Sequence, residues 1–305
     1  MKHTQTLLLI IVLLLNICGL NGFSAKAISA PNLTPKQWVG QNFLFHALPA
    51  DRQEEGYEIF KTADADRGWA GDRSVRLPYA GHVYKRVQVT AVVDFPAGTG
   101  LTEYLVYMTE KDTGMKLVGR TMRGQLDGVV LEDDLNQARH QFFGKKIYTK
   151  QRFLQIEDKL AAGGEPRIIP VKVGSEAQVV DVYAGIRTDE PIWLIVLADG
   201  NRAIVPIAYS WSNMRAADWK QTPPWQDKLF TSDPRPQSGW AQAVWDQIDA
   251  GMVDTGMTQE QVALSWGAPD DKMESPAGNE KVVWTYGSTR LTFSGDYLEL
   301  IENGQ

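Results

Sequence analysis

The chain has 305 residues, of which 43% are hydrophobic and 22% are charged, and its formal net charge is −6. An acidic chain without a basic block does not suit a phosphate backbone, so we expect no nucleic-acid partner. The only cysteine precedes the predicted mature chain, which excludes disulfides, thiolate catalysis and cysteine metal ligands from that part. The length suffices for two or three domains with their own cores.

Residues 1–27 have the three parts of a secretory signal peptide: a short basic start, an apolar run and a cleavage pattern. The apolar run, Leu7–Leu15, is too short to cross a bilayer, so we predict cleavage after Ala27 rather than an uncleaved anchor. A membrane tether would require lipidation of Cys18, and Ile17, which precedes it, does not fit a lipoprotein signal.

Residues 32–130 and 131–214 are predicted to form two related β-rich units. Each unit starts with a helical turn that ends at Gly40 or Gly144, followed by a strand, a long loop, further strands and a hairpin. Several short strands separated by turns are typical of small barrels, and the pair resembles tandem bacterial SH3-like barrels. The matched strands are Lys85–Val93 with Ala177–Tyr183, Tyr104–Tyr107 with Trp193–Val196, and Lys116–Val118 with Arg202–Ile207.

Residues 215–239 contain four prolines and little periodicity, which predicts a linker. Residues 240–305 are predicted to form two helices and then three strands. The first helix ends at Gly251, and the second follows a capping box between Thr258 and Gln261. The predicted fold class is therefore α+β and mostly β, with two small β-barrel-like units followed by a helix-helix-three-strand domain.

The C-terminal segment contains the strings GMTQEQVALSWGAPD, VVWTYG and RLTFSGDYLELI. Through these strings, about residues 240–303 resemble the SmpA/OmlA (BamE-like) family, which includes a small lipoprotein accessory of the outer-membrane β-barrel assembly machine. The resemblance implies a domain that binds a partner protein in the periplasm or on the periplasmic face of the outer membrane. Family members are short, whereas this segment ends a long chain. The family-motif positions are Gly256, Met257, Thr258, Val262, Gly267, Pro269, Trp284 and Tyr286.

The sequence contains no catalytic or cofactor motif. His46, His82 and His140 are scattered, and there is no nucleophile elbow or phosphate-binding loop. Near Asp127 the chain is acidic, and we expect Asp133 or Asp134 to cap the helix that follows. We therefore expect no enzyme activity, no metal and no cofactor. A hydrolase with an unrecognised site is the least favoured alternative.

The favoured function is a non-enzymatic bacterial cell-envelope protein that acts through protein–protein interaction, in outer-membrane assembly or maintenance. The alternative is an SH3-like protein that binds peptidoglycan or a peptide. Strand edges and large aromatic side chains are common anchors for such contacts. The candidate partner contacts are Trp211, Trp219, Trp225 and Trp266.

Overall fold

The computed structural model describes residues 31–98, 102–157, 166–274 and 281–303, and the predicted signal peptide lies outside these ranges. Strands account for 39% and helices for 25% of the structure, so the mostly β fold class is confirmed. One sheet curls into a half-barrel. No helix within the described ranges is both long enough and apolar enough to span a bilayer.

The first sheet consists of seven strands from the N-terminal unit. Their order is β3-β2-β6-β5-β4-β1-β7, and each neighbouring pair is antiparallel. Two short helices, α1 and α2, lie in connections that the sequence predicted as loop. The elements are β1 (Asn42–Phe45), β2 (Tyr57–Lys61), α1 (Ala65–Trp69), β3 (Arg76–Leu77), α2 (Tyr79–His82), β4 (Arg86–Pro96), β5 (Thr102–Glu110), β6 (Lys116–Thr121) and β7 (Val129–Leu131).

The second sheet repeats the strand order of the first. Its order is β10-β9-β13-β12-β11-β8-β14, which is the first order with each strand number raised by seven. Helix α3 precedes this sheet and packs on β11, and it also contacts β1 and β7 of the first. The elements are α3 (Glu132–Phe142), β8 (Lys146–Thr149), β9 (Phe153–Ile156), β10 (Ile168–Pro170), β11 (Glu176–Ala184), β12 (Ile192–Ala198), β13 (Asn201–Ile207) and β14 (Leu229–Phe230).

The repeat extends to individual backbone hydrogen bonds. Gly40 and Gly144 have positive φ angles of 86° and 72°, a conformation that glycine adopts without steric cost. The N–H of Gly40 donates to the carbonyl of Val89, and that of Gly144 donates to the carbonyl of Val179. A β-bulge follows directly after each of these valines. The two units are therefore structural repeats, in which Gly40 and Gly144 occupy equivalent positions, as the sequence analysis predicted.

Strand β7 joins the two units because its side chains alternate between their cores. Val129 and Leu131 are buried in the core of the first sheet, whereas Val130 is buried in the core of the second. Successive side chains of a strand point to opposite faces. One short strand thus supplies apolar side chains to both cores and holds the units against each other.

Residues 208–214, which follow β13, return to the first unit and are buried throughout; we call this segment the clasp. Its Asn213 has a φ of 56°, in the left-handed region that asparagine tolerates. The Asn213 amide donates to the carbonyls of Leu126 and Val129, both at 2.9 Å, and accepts from the N–H of Leu126 at 2.6 Å. A single side chain therefore satisfies three backbone groups just before and within β7.

Residues 215–239, predicted as a linker, also contribute to the second sheet. Strand β14 pairs with β8 at its edge. Trp225 lies in the core of this sheet, with its ring 5.3 Å from that of Phe142. Proline does limit regular structure here, but short apolar pieces between the prolines still pack and pair.

The C-terminal domain has two packed helices, α5 and α6, and an antiparallel sheet in the order β15-β16-β17-β18. The capping box of Thr258 and Gln261 is confirmed. The sheet has four strands, whereas three were predicted. The additional strand, Asp271–Glu274, has no β-branched residue to indicate it in the sequence, and it pairs with β16. The elements are α4 (Pro234–Ser238), α5 (Gln242–Ala250), α6 (Gln259–Trp266), β15 (Asp271–Glu274), β16 (Lys281–Tyr286), β17 (Thr289–Ser294) and β18 (Tyr297–Asn303).

Replacing the clasp amide tests this description of the interface. Asn213→Ala leaves three buried backbone groups without their partner, and each unpaired group costs about 1–3 kcal/mol. We expect the free energy of unfolding in urea to fall by roughly 3 kcal/mol or more. The control is Asn136→Ala on the exposed side of α3, which should change stability by less than about 0.5 kcal/mol. Equal effects of the two substitutions would contradict the role of the clasp.

Candidate functional site

A cleft lies where three segments meet: residues 121–124 from the end of β6, residues 186–189 between β11 and β12, and residues 214–219 from the end of the clasp. We call it the junction cleft. It has a polar compartment of about 760 Å³, an apolar compartment of about 490 Å³ and a side compartment of about 450 Å³. Met122 lines all three compartments, and its side chain is 51% exposed.

Five arginines and three aspartates line the polar compartment, so its charge is opposite in sign to that of the whole chain. Arg187 pairs with Asp189 at 2.5 Å, and Arg215 pairs with Asp218 at 2.8 Å. Two further ion pairs join residues from different parts of the sequence: Arg52 pairs with Asp127, and Arg120 pairs with Glu103. Burial raises the pKa of Asp127, but hydrogen bonds from Arg52 and Thr188 outweigh it and hold this pKa below its ordinary value.

The loop 121–124 owes its shape to two local features. Thr121 is buried, and its hydroxyl accepts from the N–H groups of Arg123 and Gln125. Gly124 has a φ of 76°, and a Cβ atom there would lie 3.7 Å from Pro35 Cγ. The turn therefore leaves Met122 and Arg123 exposed in the cleft. Among the described residues, the guanidinium of Arg123 has no carboxylate partner.

The floor of the polar compartment joins the two units through a hydroxyl. Thr188 Oγ1 donates to Asp127 and accepts from the N–H of Gly128 at 3.0 Å. His46 Nε2 lies 3.2 Å from the same oxygen, and its Nδ1 lies 2.6 Å from the carbonyl oxygen of Ala47. Burial lowers the pKa of His46. The Thr188 hydroxyl therefore contacts Asp127, Gly128 and His46 together, and these contacts join the two units.

The other histidines lie away from the cleft. His82 Nδ1 contacts Glu110 at 2.6 Å within the first unit, and His140 is exposed on α3. Across the described ranges, no group of three or more histidine, cysteine or acidic side chains is placed to hold a metal ion.

Asp134 does not cap α3, so that expectation was wrong. The helix begins after Leu131 without a side-chain cap, and Asp134 turns instead toward the clasp, where it is 4% exposed. Its Oδ2 accepts from the Ser210 hydroxyl at 2.7 Å, while Oδ1 has no partner. Burial raises the pKa of Asp134 to about 7. The clasp thus covers an acidic group that favours the neutral form.

The four candidate tryptophans occupy different environments. Trp211 and Trp225 are only 4% and 7% exposed, so they fill cores and cannot reach a partner in the folded protein. Trp266, on α6, is 37% exposed and lines none of the three compartments of the cleft. Trp219 lines the apolar compartment and donates from its indole N–H to the carbonyl of Met214. Of the four, only Trp219 belongs to the junction cleft.

The family-motif positions of the C-terminal segment support its local fold. Some are buried in the core between helices and sheet, one caps α6, and the glycines and proline lie in turns. None of them lines the junction cleft. The core positions are Met257, Val262 and Trp284, the cap is Thr258, the turn positions are Gly256, Gly267 and Pro269, and Tyr286 bonds the Gly267 carbonyl.

The sequence did not identify the cleft residues Met122, Arg123 and Tyr104. Met122 and Arg123 lie in a short segment without periodicity, where the only signal was a turn glycine, and Tyr104 lies within a predicted strand. No family model, curated protein or solved structure matches the chain. The functional interpretation therefore depends on the geometry of the cleft.

The buried carboxyl of Asp134 predicts an unusual pH dependence. Its folded pKa of about 7 lies above the ordinary 3.8, so between these values the folded protein keeps a proton that the unfolded chain loses. The free energy of unfolding should fall as the pH rises through this window, by at most about 1.4 kcal/mol per pH unit. Asp134→Asn removes the titration, so the variant should be more stable than the parent at pH 8 and similar to it at pH 4.

Urea unfolding at pH 4, 6 and 8 measures this difference. Asp133→Asn is the control, because Asp133 is the exposed neighbour in the same helical turn. Parallel pH profiles of the parent and Asp134→Asn would show that the buried carboxyl does not titrate in this range.

Proposed function

We propose that the protein is a non-enzymatic component of the bacterial cell envelope that binds an extended segment of a partner protein in the junction cleft. The observation that carries this proposal is that Met122 and Arg123 line both the polar and the apolar compartment, so the two compartments adjoin at these exposed residues. Alternate side chains of an extended polypeptide point in opposite directions, so one segment can place polar and apolar groups in different compartments.

The wider setting comes from the sequence. Residues 1–27 support export, and the SmpA/OmlA resemblance of residues 240–303 supports a role in outer-membrane assembly or maintenance. On this proposal, the C-terminal helices and sheet are a BamE-like module, and the two repeat units are SH3-like modules that form the cleft. The order of two helices before an antiparallel sheet supports the first assignment, although this sheet has four strands.

A binding role agrees with the chemistry of the cleft floor. The Thr188 hydroxyl, which lies 3.2 Å from His46 Nε2, contacts Asp127 and accepts from the N–H of Gly128. Four of the five cleft arginines are held by carboxylates. Groups fixed in this way can position a ligand, whereas a reaction would require a nucleophile or base free to exchange its proton.

Peptidoglycan is the second candidate ligand. The excess of arginine over aspartate in the polar compartment favours an anionic ligand, and the peptide stems of peptidoglycan carry carboxylates. Sedimentation of the mature protein with purified sacculi tests this candidate directly. Retention in the supernatant would eliminate it.

Site-specific photocrosslinking in intact cells tests the main proposal. A photoreactive amino acid in place of Met122 should give a protein adduct, because this side chain is exposed in the centre of the cleft. The control position is Phe143, which has a similar exposure of 56% but lies at the end of α3 outside the cleft. Adducts are detected by a shift in electrophoretic mobility and identified by mass spectrometry.

A second position separates the cleft from the C-terminal domain. Met273 on β15 is also 51% exposed and lies in the domain that resembles the SmpA/OmlA family. Adducts from Met122 but not from Phe143 would support the cleft. Adducts from Met273 alone would contradict the proposal and would place the partner on the C-terminal sheet.

A further inference from the structure

We infer that the apolar compartment of the junction cleft receives the C-terminal end of a polypeptide, with the terminal carboxylate on Arg123 and the last side chain against Tyr104 and Trp219. This inference rests on the proposed function, because it specifies which part of the partner the cleft holds. The argument depends on the charge, position and surroundings of Arg123.

Among the residues that the structure describes, Arg123 is the cleft arginine without a carboxylate partner. The other four arginines of the polar compartment each contact an aspartate or glutamate. Within the described residues, Arg123 makes hydrogen bonds through its backbone only, to Thr121 and Ala216. A guanidinium offers a planar set of donors that matches a carboxylate in a bidentate arrangement. Its natural complement is therefore a carboxylate supplied by the ligand.

Arg123 forms part of the wall of an apolar space. Arg123 lines both the polar and the apolar compartments. Apolar and aromatic side chains form most of the apolar compartment, among them Pro35, Tyr104, Met122 and Trp219. Its volume of about 490 Å³ is in the range of sites that enclose small ligand groups. Methionine side chains adapt to ligands of different shape, which suits a site for one large apolar group.

The one carboxylate inside the apolar compartment does not compete for Arg123. Asp218 lines this compartment, but its two oxygens accept hydrogen bonds from Arg215 at 2.8 and 3.3 Å. The pair is therefore neutral as a unit, and Arg123 remains as the net positive charge at this wall. An incoming anion is attracted to Arg123 and does not need to displace an existing ion pair.

A chain end fits this arrangement better than an internal segment. In the last residue of a polypeptide, the carboxylate and the side chain are attached to the same carbon atom. One residue can thus fill the apolar compartment and reach the guanidinium in its wall. An internal acidic residue carries its carboxylate on the side chain itself, so the apolar group must come from a neighbour that points the opposite way.

Isothermal titration calorimetry of the mature protein with acetyl-Gly-Ser-Gly-Leu tests the inference. The matched ligand is the same peptide with a C-terminal amide, and a third peptide, acetyl-Gly-Glu-Leu-Gly-amide, carries only an internal carboxylate. We expect the free acid to bind about tenfold more tightly than either blocked peptide, as for one charge-assisted hydrogen-bonded pair. Arg123→Gln should abolish this preference, whereas Arg123→Lys should retain part of it because the charge persists without the bidentate geometry.

Arg290→Gln is the control variant, because Arg290 is an exposed arginine on β17 without a carboxylate partner among the described residues. It should leave the preference unchanged. Equal binding of the acid and the amide, or a preference that survives in Arg123→Gln, would overturn the inference. Equal binding of the internal acidic peptide would overturn the chain-end assignment. If no peptide binds while a photoreactive residue at position 122 still forms adducts in cells, the chain-end inference fails and the proposed function stands. If no peptide binds and no adducts form, the proposed function fails as well.

Discussion

The position of the two repeat units depends on the hydrogen bonds that Asn213 makes across their boundary. This amide belongs to the segment after β13 but satisfies backbone groups of Leu126 and Val129 in the first unit. Such buried groups are costly to leave unpaired, so the clasp has one strongly preferred location. Met214 is the next residue after Asn213, and Trp219 comes shortly after it. The hydrogen bonds of Asn213 therefore also position one wall of the cleft. The opposite walls come from loops of the two sheets, joined by Thr188 and Asp127.

The junction cleft thus depends on both repeats together. Each repeat alone has a seven-stranded sheet with the same order, and neither contains the cleft. The cleft arises where the loop after β6 of one repeat meets the loop between β11 and β12 of the other. The first repeat supplies the exposed Met122 and Arg123, and the second supplies Arg187 and Thr188. Loops on a rigid scaffold are where binding residues commonly lie.

Elements with strong local signals could be predicted from the sequence, and those formed by distant contacts could not. The β-branched strands, the paired glycines Gly40 and Gly144, and the capping box at Thr258 all depend on neighbouring residues. Strand β2 was missed because a register shift interrupts its alternation, and β15 because only pairing with β16 makes it a strand. The cleft joins residues that are far apart in the sequence, such as Asp127 and Thr188, which are 61 positions apart, so no local pattern indicated it. Burial of Trp211 and Trp225 likewise depends on tertiary packing.

Hydrogen–deuterium exchange of the mature protein, with and without a tryptic digest of cell-envelope proteins, tests the central claim most directly. The account predicts slower exchange at residues 121–124 and 214–219, because a bound segment would cover both walls of the junction cleft. Exchange in β16, β17 and β18 should not change. Protection confined to these C-terminal strands, or no protection at either wall, would contradict the assignment of the cleft as the binding site.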